Sequence, residues 1–157
     1  MAGMARKAGI ALGAVLAIGA VVFVFVTPYR GTPGVRLGGT LTAAPGDWST
    51  VNGTREMQLE PDGFPPFVVN IWFVGTPNGV ITATQPGGYW GRRVRANPHA
   101  TVRIGDAAYE VKAREVLDFP ARKEMLAAYV GKYDLAEVPG MTLDDLAKMT
   151  LFFWTPR

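Results

Sequence analysis

Two short runs of alternating apolar and polar residues meet at Gly105-Asp106. Val102 and Ile104 alternate with Thr101 and Arg103 before that pair, and Tyr109, Val111 and Ala113 alternate with Glu110, Lys112 and Arg114 after it. A period of two puts neighbouring side chains on opposite faces of a strand, and Gly-Asp suits a two-residue turn. The stretch therefore reads as a β-hairpin with one apolar face. An isolated hairpin is marginal in water, so that face demands further strands, and the chain is committed to a sheet or barrel. Just upstream, the basic stretch that begins at Trp90 reads as a short turn or helix. Asn97-Pro98 stops it, because Pro98 has no N–H and pushes Asn97 out of the helical region.

The other elements follow the same logic. Thr54–Glu60 alternates, with Met57 and Leu59 on one face, and Pro61-Asp62-Gly63 turns the chain. Phe67–Val74 is apolar on both faces and reads as the central strand. Pro77-Asn78-Gly79 turns into a strand over Val80–Thr84, and Gln85-Pro86-Gly87-Gly88 is a loop. Asp118 is placed to cap a helix that runs to about Tyr133, with Leu126, Tyr129, Val130 and Tyr133 on one stripe. Pro139-Gly140 breaks the chain, Thr142 and Asp145 resemble a capping box for a short helix to about Lys148, and Leu151–Thr155 is a last strand. Six strands and one main helix predict a β-rich α+β domain built on a small closed or nearly closed barrel.

Ahead of this domain, Ala8–Val26 is an uncharged apolar run of about 19 residues, roughly 28 Å long as a helix and close to the thickness of a bilayer core. It is expected to be a single transmembrane helix, with residues 1–27 as tail and span, 28–47 as a Pro/Gly-rich linker and 48–157 as the barrel domain. Arg6 and Lys7 before the run, against Arg30 and Arg36 after it, favour a single-pass membrane protein with the globular domain on the external side. The bilayer is then an expected partner. Gly9, Gly13 and Ala17, four apart, offer a face on which two such helices can pair as a homodimer.

Several chemistries are disfavoured. Cysteine is absent, so there is no disulfide, thiolate ligand or cysteine nucleophile. His99 is the sole histidine and no Gly-x-Ser-x-Gly elbow is present, which argues against a catalytic triad and against a multi-histidine metal site. A net charge of +3 suits an anionic ligand but falls short of a dedicated nucleic-acid binder. His99 is expected as an exposed turn residue, with contact to a phosphate or substrate as the alternative reading.

Four pieces of sequence resemble the split-barrel flavin-binding superfamily, which includes pyridoxamine-phosphate-oxidase-like proteins and deazaflavin-dependent nitroreductases. They are Gly87-Gly88-Tyr89-Trp90, the turn Arg93-x-x-Ala96-Asn97-Pro98, Val102-x-Ile104-Gly105, and the strand Tyr109-x-Val111-x-Ala113-Arg114-Glu115-Val116. The resemblance implies a six-stranded split β-barrel that holds FMN or a deazaflavin coenzyme and reduces a lipophilic small molecule such as a quinone or nitro compound. It places cofactor contacts at Gly87, Gly88, Tyr89, Trp90, Arg92 and Arg93: the arginines either fork onto a phosphate or form a solvated basic turn, and the aromatic rings either stack on the cofactor or plug the barrel end. Asn70 and Trp72 join them from the central strand. Asn70 is the one polar side chain there and either bonds a neighbouring backbone group or faces a ligand cavity. The sequence departs from the family where coenzyme binders carry a basic Gly-Arg-Lys-Ser-Gly-like stretch; Thr54-Arg55-Glu56-Met57-Gln58 stands there instead. That departure keeps a second reading open: a membrane-anchored, non-enzymatic barrel acting as a binding or assembly module.

Overall fold

The computed structural model of the protein describes residues 9, 11–19, 36–133 and 142–157. Among these residues seven strands form one sheet: β1 (Thr40–Leu41), β2 (Glu56–Pro61), β3 (Val69–Thr76), β4 (Gly79–Thr84), β5 (His99–Ile104), β6 (Ala107–Glu115) and β7 (Thr150–Pro156). They run in the order β1-β6-β5-β2-β3-β4-β7, and a further β6–β7 pairing joins the ends. Strands β2 to β7 thus close into a six-stranded barrel whose pairings are all antiparallel. Strand β1 lies in the stretch read as linker. It pairs in parallel with the start of β6, Thr40 opposite Ala107, on the edge of β6 that β7 takes from Val111 onward.

The alternation read from the sequence sorts inside from outside. Met57, Leu59, Phe73, Val80, Val102, Ile104, Val111, Phe152 and Trp154 fill the barrel, while Glu110, Lys112 and Arg114 stay exposed. The buried Trp154 indole donates to Thr82 Oγ1 at 2.8 Å, so neither polar group is buried without a partner. Trp48, in a 3-10 turn over Trp48–Val51 capped by Asp47, fills one gap in the wall and meets Tyr109 edge-on at 5.0 Å. Helix α1 (Tyr89–Ala96) supplies Trp90 and Val94 to the same core.

Helices α2 (Phe119–Lys132) and α3 (Leu143–Lys148) contribute to a second apolar cluster on the outer surface, where Tyr129, Tyr133 and Leu146 pack with Val74 and Ile81. Asp118 caps α2 through the Ala121 N–H, and Thr142 with Asp145 forms the full capping box of α3. Under α2 the wall opens. β2 follows β3 only as far as Trp72, opposite Glu56, whereas β4 accompanies it from Phe73 to Thr76. Side chains satisfy the backbone that β2 leaves behind. Asn52 exchanges two hydrogen bonds with Gly75, of 2.7 and 2.8 Å, and Tyr133 Oη accepts the Phe73 N–H at 2.9 Å. Gly75 must be glycine, since a Cβ there would collide with the Trp48 carbonyl oxygen.

One expectation is overturned. Among the described residues no helix is long and apolar enough to cross a membrane. Within Ala8–Val26 the described residues, 9 and 11–19, are helical. Residues 8, 10 and 20–26 lie outside the described set, as do residues 28–35 of the linker and the Pro139-Gly140 break. The single-pass membrane localisation with an external domain is corrected accordingly.

Candidate functional site

The basic stretch before the hairpin forms α1 because the Gly87-Gly88 loop lets the chain turn tightly onto β4. Gly87 has φ +72°, and a Cβ on Gly88 would collide with Thr84 Oγ1. The helix therefore sits close against the barrel end, with Trp90 and Val94 inward. Tyr89 and Arg93, four residues apart, share its outer row.

That row meets the loop between β2 and β3. The Arg93 guanidinium lies 5.1 Å from the Phe67 ring centre and 5.9 Å from that of Tyr89, two rings that are themselves 4.8 Å apart. Its Nη2 donates to the Pro65 carbonyl at 3.2 Å and, more weakly, to Tyr89 Oη at 3.4 Å. Its Nη1 is buried and has no hydrogen-bond partner among the described residues. Gly63, at φ +138°, packs on this guanidinium so closely that a Cβ would stand 2.5 Å from Nη1. Two aromatic rings, a guanidinium and a glycine thus make one corner. Tyr89 is 55 % exposed and Phe64, in the same loop, 91 %.

The eight residues expected at a cofactor site do not all converge there. Tyr89 and Arg93 meet, with Gly87 and Gly88 as the turn that sets their helix. Trp90 is 8 % exposed and packs against Phe152 and Trp154, so its ring is part of the core. Arg92 points to solvent from the same helix. Asn70 is exposed on the outer face of β3, opposite Gln58, rather than buried. Trp72 stacks on Tyr133 at 4.5 Å and 6°, with Arg55 5.3 Å above its ring. Arg95 is held away by Glu115 through two 2.6 Å bonds, and the Arg95 hydrogen bond in turn lowers the Glu115 pKa. Nothing local marks Phe67 or Gly63 as members of the corner, because Phe67 reads as strand core and Gly63 as an ordinary turn glycine.

A second polar group lies at the open seam. Lys132 Nζ donates to the Phe73 carbonyl at 2.8 Å and to Asn52 Oδ1 at 3.3 Å, and sits 3.7 Å from the Phe73 ring centre. Burial lowers its pKa to about 8. Two acceptors and a ring face occupy the directions open to the ammonium, so this lysine fastens α2 to the wall and has no side left for a substrate. Tyr133 is pushed up to about 12, mainly by burial, and Tyr129, which bonds the Trp72 carbonyl at 2.8 Å, is also raised.

No family profile and no curated protein sequence matches the chain. Solved structures do. The heme storage protein HutZ from Vibrio cholerae superposes with a TM-score of 0.55 at 15 % identity, covering 69 % of this chain and 86 % of its own. A FAD-binding protein from Mesorhizobium loti gives 0.53 at 18 % identity, covering 68 % and 84 %. A putative pyridoxamine 5'-phosphate oxidase from Listeria innocua gives 0.53 at 15 % identity, covering 68 % and 87 %. At such identities the likeness is one of fold: the chain has the split-barrel architecture of these flavin- and heme-binding proteins.

Proposed function

We propose that the chain binds a phosphorylated flavin-type cofactor, FMN or a deazaflavin coenzyme, at the α1 corner and serves as a reductase of a lipophilic acceptor such as a quinone or nitro compound. The observation that carries this reading is Arg93. Its guanidinium lies against the adjoining rings of Phe67 and Tyr89, and its buried Nη1 has no acceptor among the described residues. A phosphate oxygen supplies that acceptor, and the guanidinium fork suits it. The bound cofactor would contribute the hydride chemistry, which explains why the chain needs no nucleophile or acid–base pair of its own. Arg93 anchors the phosphate, Arg92 adds positive charge from the exposed side of the helix, and Tyr89 offers a ring for stacking. Phe64 and Tyr89 supply apolar surface for the acceptor. Fold neighbours described as FAD-binding and as a putative pyridoxamine 5'-phosphate oxidase support the choice of cofactor class.

The test is quenching of cofactor fluorescence by the purified chain. We expect saturable quenching of FMN or the deazaflavin coenzyme and its loss in Arg93→Ala. A wild-type chain that quenches neither sinks this reading. A second reading, a non-enzymatic barrel acting as a binding module, draws on the burial of Trp90 and on the missing basic stretch at Thr54–Gln58. On that reading Arg93→Ala leaves fold and partner binding intact.

A further inference from the structure

Helix α1 is held to the barrel end from two sides. Arg93 and Arg95 are two positions apart, about 200° round a helix of 3.6 residues per turn. Arg93 reaches the β2–β3 loop at Gly63, Pro65 and Phe67. Arg95 reaches the other way, to Glu115, the last residue of β6. Its Nε donates to one carboxylate oxygen and its Nη2 to the other, both at 2.6 Å, and Nη2 lies 3.4 Å from Thr150 Oγ1 at the start of β7. The pairing of β6 with β7 closes the barrel, so α1 ties the closing pair of strands to the β2–β3 loop. The helix needs such ties. It has eight residues, its N-cap is Gly88, which has no side chain to bond the first turn, and a helix that short is marginal without tertiary support. Trp90 and Val94 fix which face turns inward.

We propose that Glu115, acting through Arg95, is a positioning residue for the α1 corner. The fork between them sets the roll of the helix about its own axis and so places the Arg93 guanidinium against Phe67, where it meets the phosphate. Two parallel bonds between a planar guanidinium and a carboxylate fix orientation as well as distance, which a single bond does not. Neither Glu115 nor Arg95 touches the ligand; both act on it through Arg93. The ligand rests on the cofactor reading above, and the placement of Arg93 rests on the helix geometry alone.

The experiment uses the full chain, with FMN and riboflavin as probes that differ only in the phosphate. Glu115→Gln keeps the size of the side chain and loses its charge and one acceptor. We expect it to weaken FMN binding by about five-fold or more, the effect of a partly lost hydrogen bond to a charged group, and to leave riboflavin binding unchanged. Arg95→Lys, which keeps the charge and loses the fork, should do the same, and the double variant should lose no more than either single one. A merely structural Glu115 would weaken both probes alike; that result, or an FMN affinity that Glu115→Gln leaves untouched, overturns the assignment and leaves the cofactor reading standing. A second readout needs no ligand. The guanidinium Nε–H signal that vanishes from the ¹H–¹⁵N spectrum in Arg93→Ala belongs to Arg93, and its place over the Phe67 ring makes it sensitive to small displacements. It should move in Glu115→Gln. Should that variant fail to fold, Arg95→Lys takes its place in each comparison. If the wild type binds neither probe, the cofactor reading falls and a displaced Arg93 signal still carries the positioning role. An Arg93 signal that stays where it was overturns it.

Discussion

Tyr133 Oη accepts the Phe73 N–H at 2.9 Å, so a side chain at the end of α2 occupies a position that a neighbouring strand would fill in a continuous sheet. The same oxygen lies 2.6 Å from the Phe73 carbonyl and 2.7 Å from that of Arg55, and its single proton serves one of them. The hydroxyl joins the end of α2 to both sides of the seam. Tyr133→Phe leaves the Phe73 N–H buried without an acceptor and should lower stability by about 1–3 kcal/mol. Urea denaturation checks it, and a loss below about half a kcal/mol would show that water enters the seam freely.

Alkaline pH should act on the same seam in two opposite ways. Lys132 has its folded pKa lowered to about 8 from 10.5, so between those values the unfolded chain binds more protons and stability rises with pH. Tyr133 is raised from 10.0 to about 12, and Tyr129 is raised as well, so above about pH 10 the folded chain binds more protons and stability falls. Melting temperatures between pH 7.5 and 9.5 should climb in the wild type relative to Lys132→Met. Parallel curves for the two proteins would remove the assignment to Lys132.

Gly63 is one of three residues, with Pro65 and Phe67, through which the β2–β3 loop meets Arg93. In Gly63→Ala the methyl group would stand 2.5 Å from Nη1 on a backbone at φ +138°, which strains an L-residue by about 1–3 kcal/mol. The Arg93 guanidinium is displaced from Phe67 as a result. The variant should lose stability on that scale and bind FMN more weakly than the wild type. Unchanged FMN affinity would mean that Arg93 acts independently of the loop.

Inside the barrel, Trp154 and Thr82 form an isolated polar pair. Thr82→Val leaves the indole N–H without an acceptor and should cost about 1–3 kcal/mol. Adding Trp154→Phe removes the orphaned donor, so the double variant should be more stable than the sum of the single losses implies. Strict additivity in a double-mutant cycle would show the bond to be dispensable.

How much of this was legible beforehand depends on the range of each interaction. The hairpin over β5 and β6, the caps of α2 and α3 and the inward set on β2 are written in residues a few positions apart, where period and capping chemistry suffice. Asn70 was misjudged because the apolar run around it suggests burial on both faces, whereas the contacts of Tyr129 and Tyr133 reach the Trp72 and Val74 end of β3 and leave Asn70 exposed. Strand β1 has two residues and no pattern of its own; the free edge of β6 creates it. The apolar N-terminal run suggested a membrane span from hydropathy alone, and among the described residues no helix is long and apolar enough to be one. The pairing of Gly63 with Arg93 joins residues far apart in sequence, and nothing local announces it.

The shared edge of β6 also bears on how the chain tolerates trimming. Thr40 and Thr42 donate to the carbonyls of Asp106 and Ala108, and Arg157 donates to that of Glu110 farther along the same strand. Cutting the protein back to Trp48 would strip the first of these partners and leave a short sticky margin beside the C-terminal residue. A foreign β-segment, or a sister molecule, could zip onto that margin. A shortened version made for crystallisation should therefore begin before Gly39, or it will trade a tidy particle for one prone to clump.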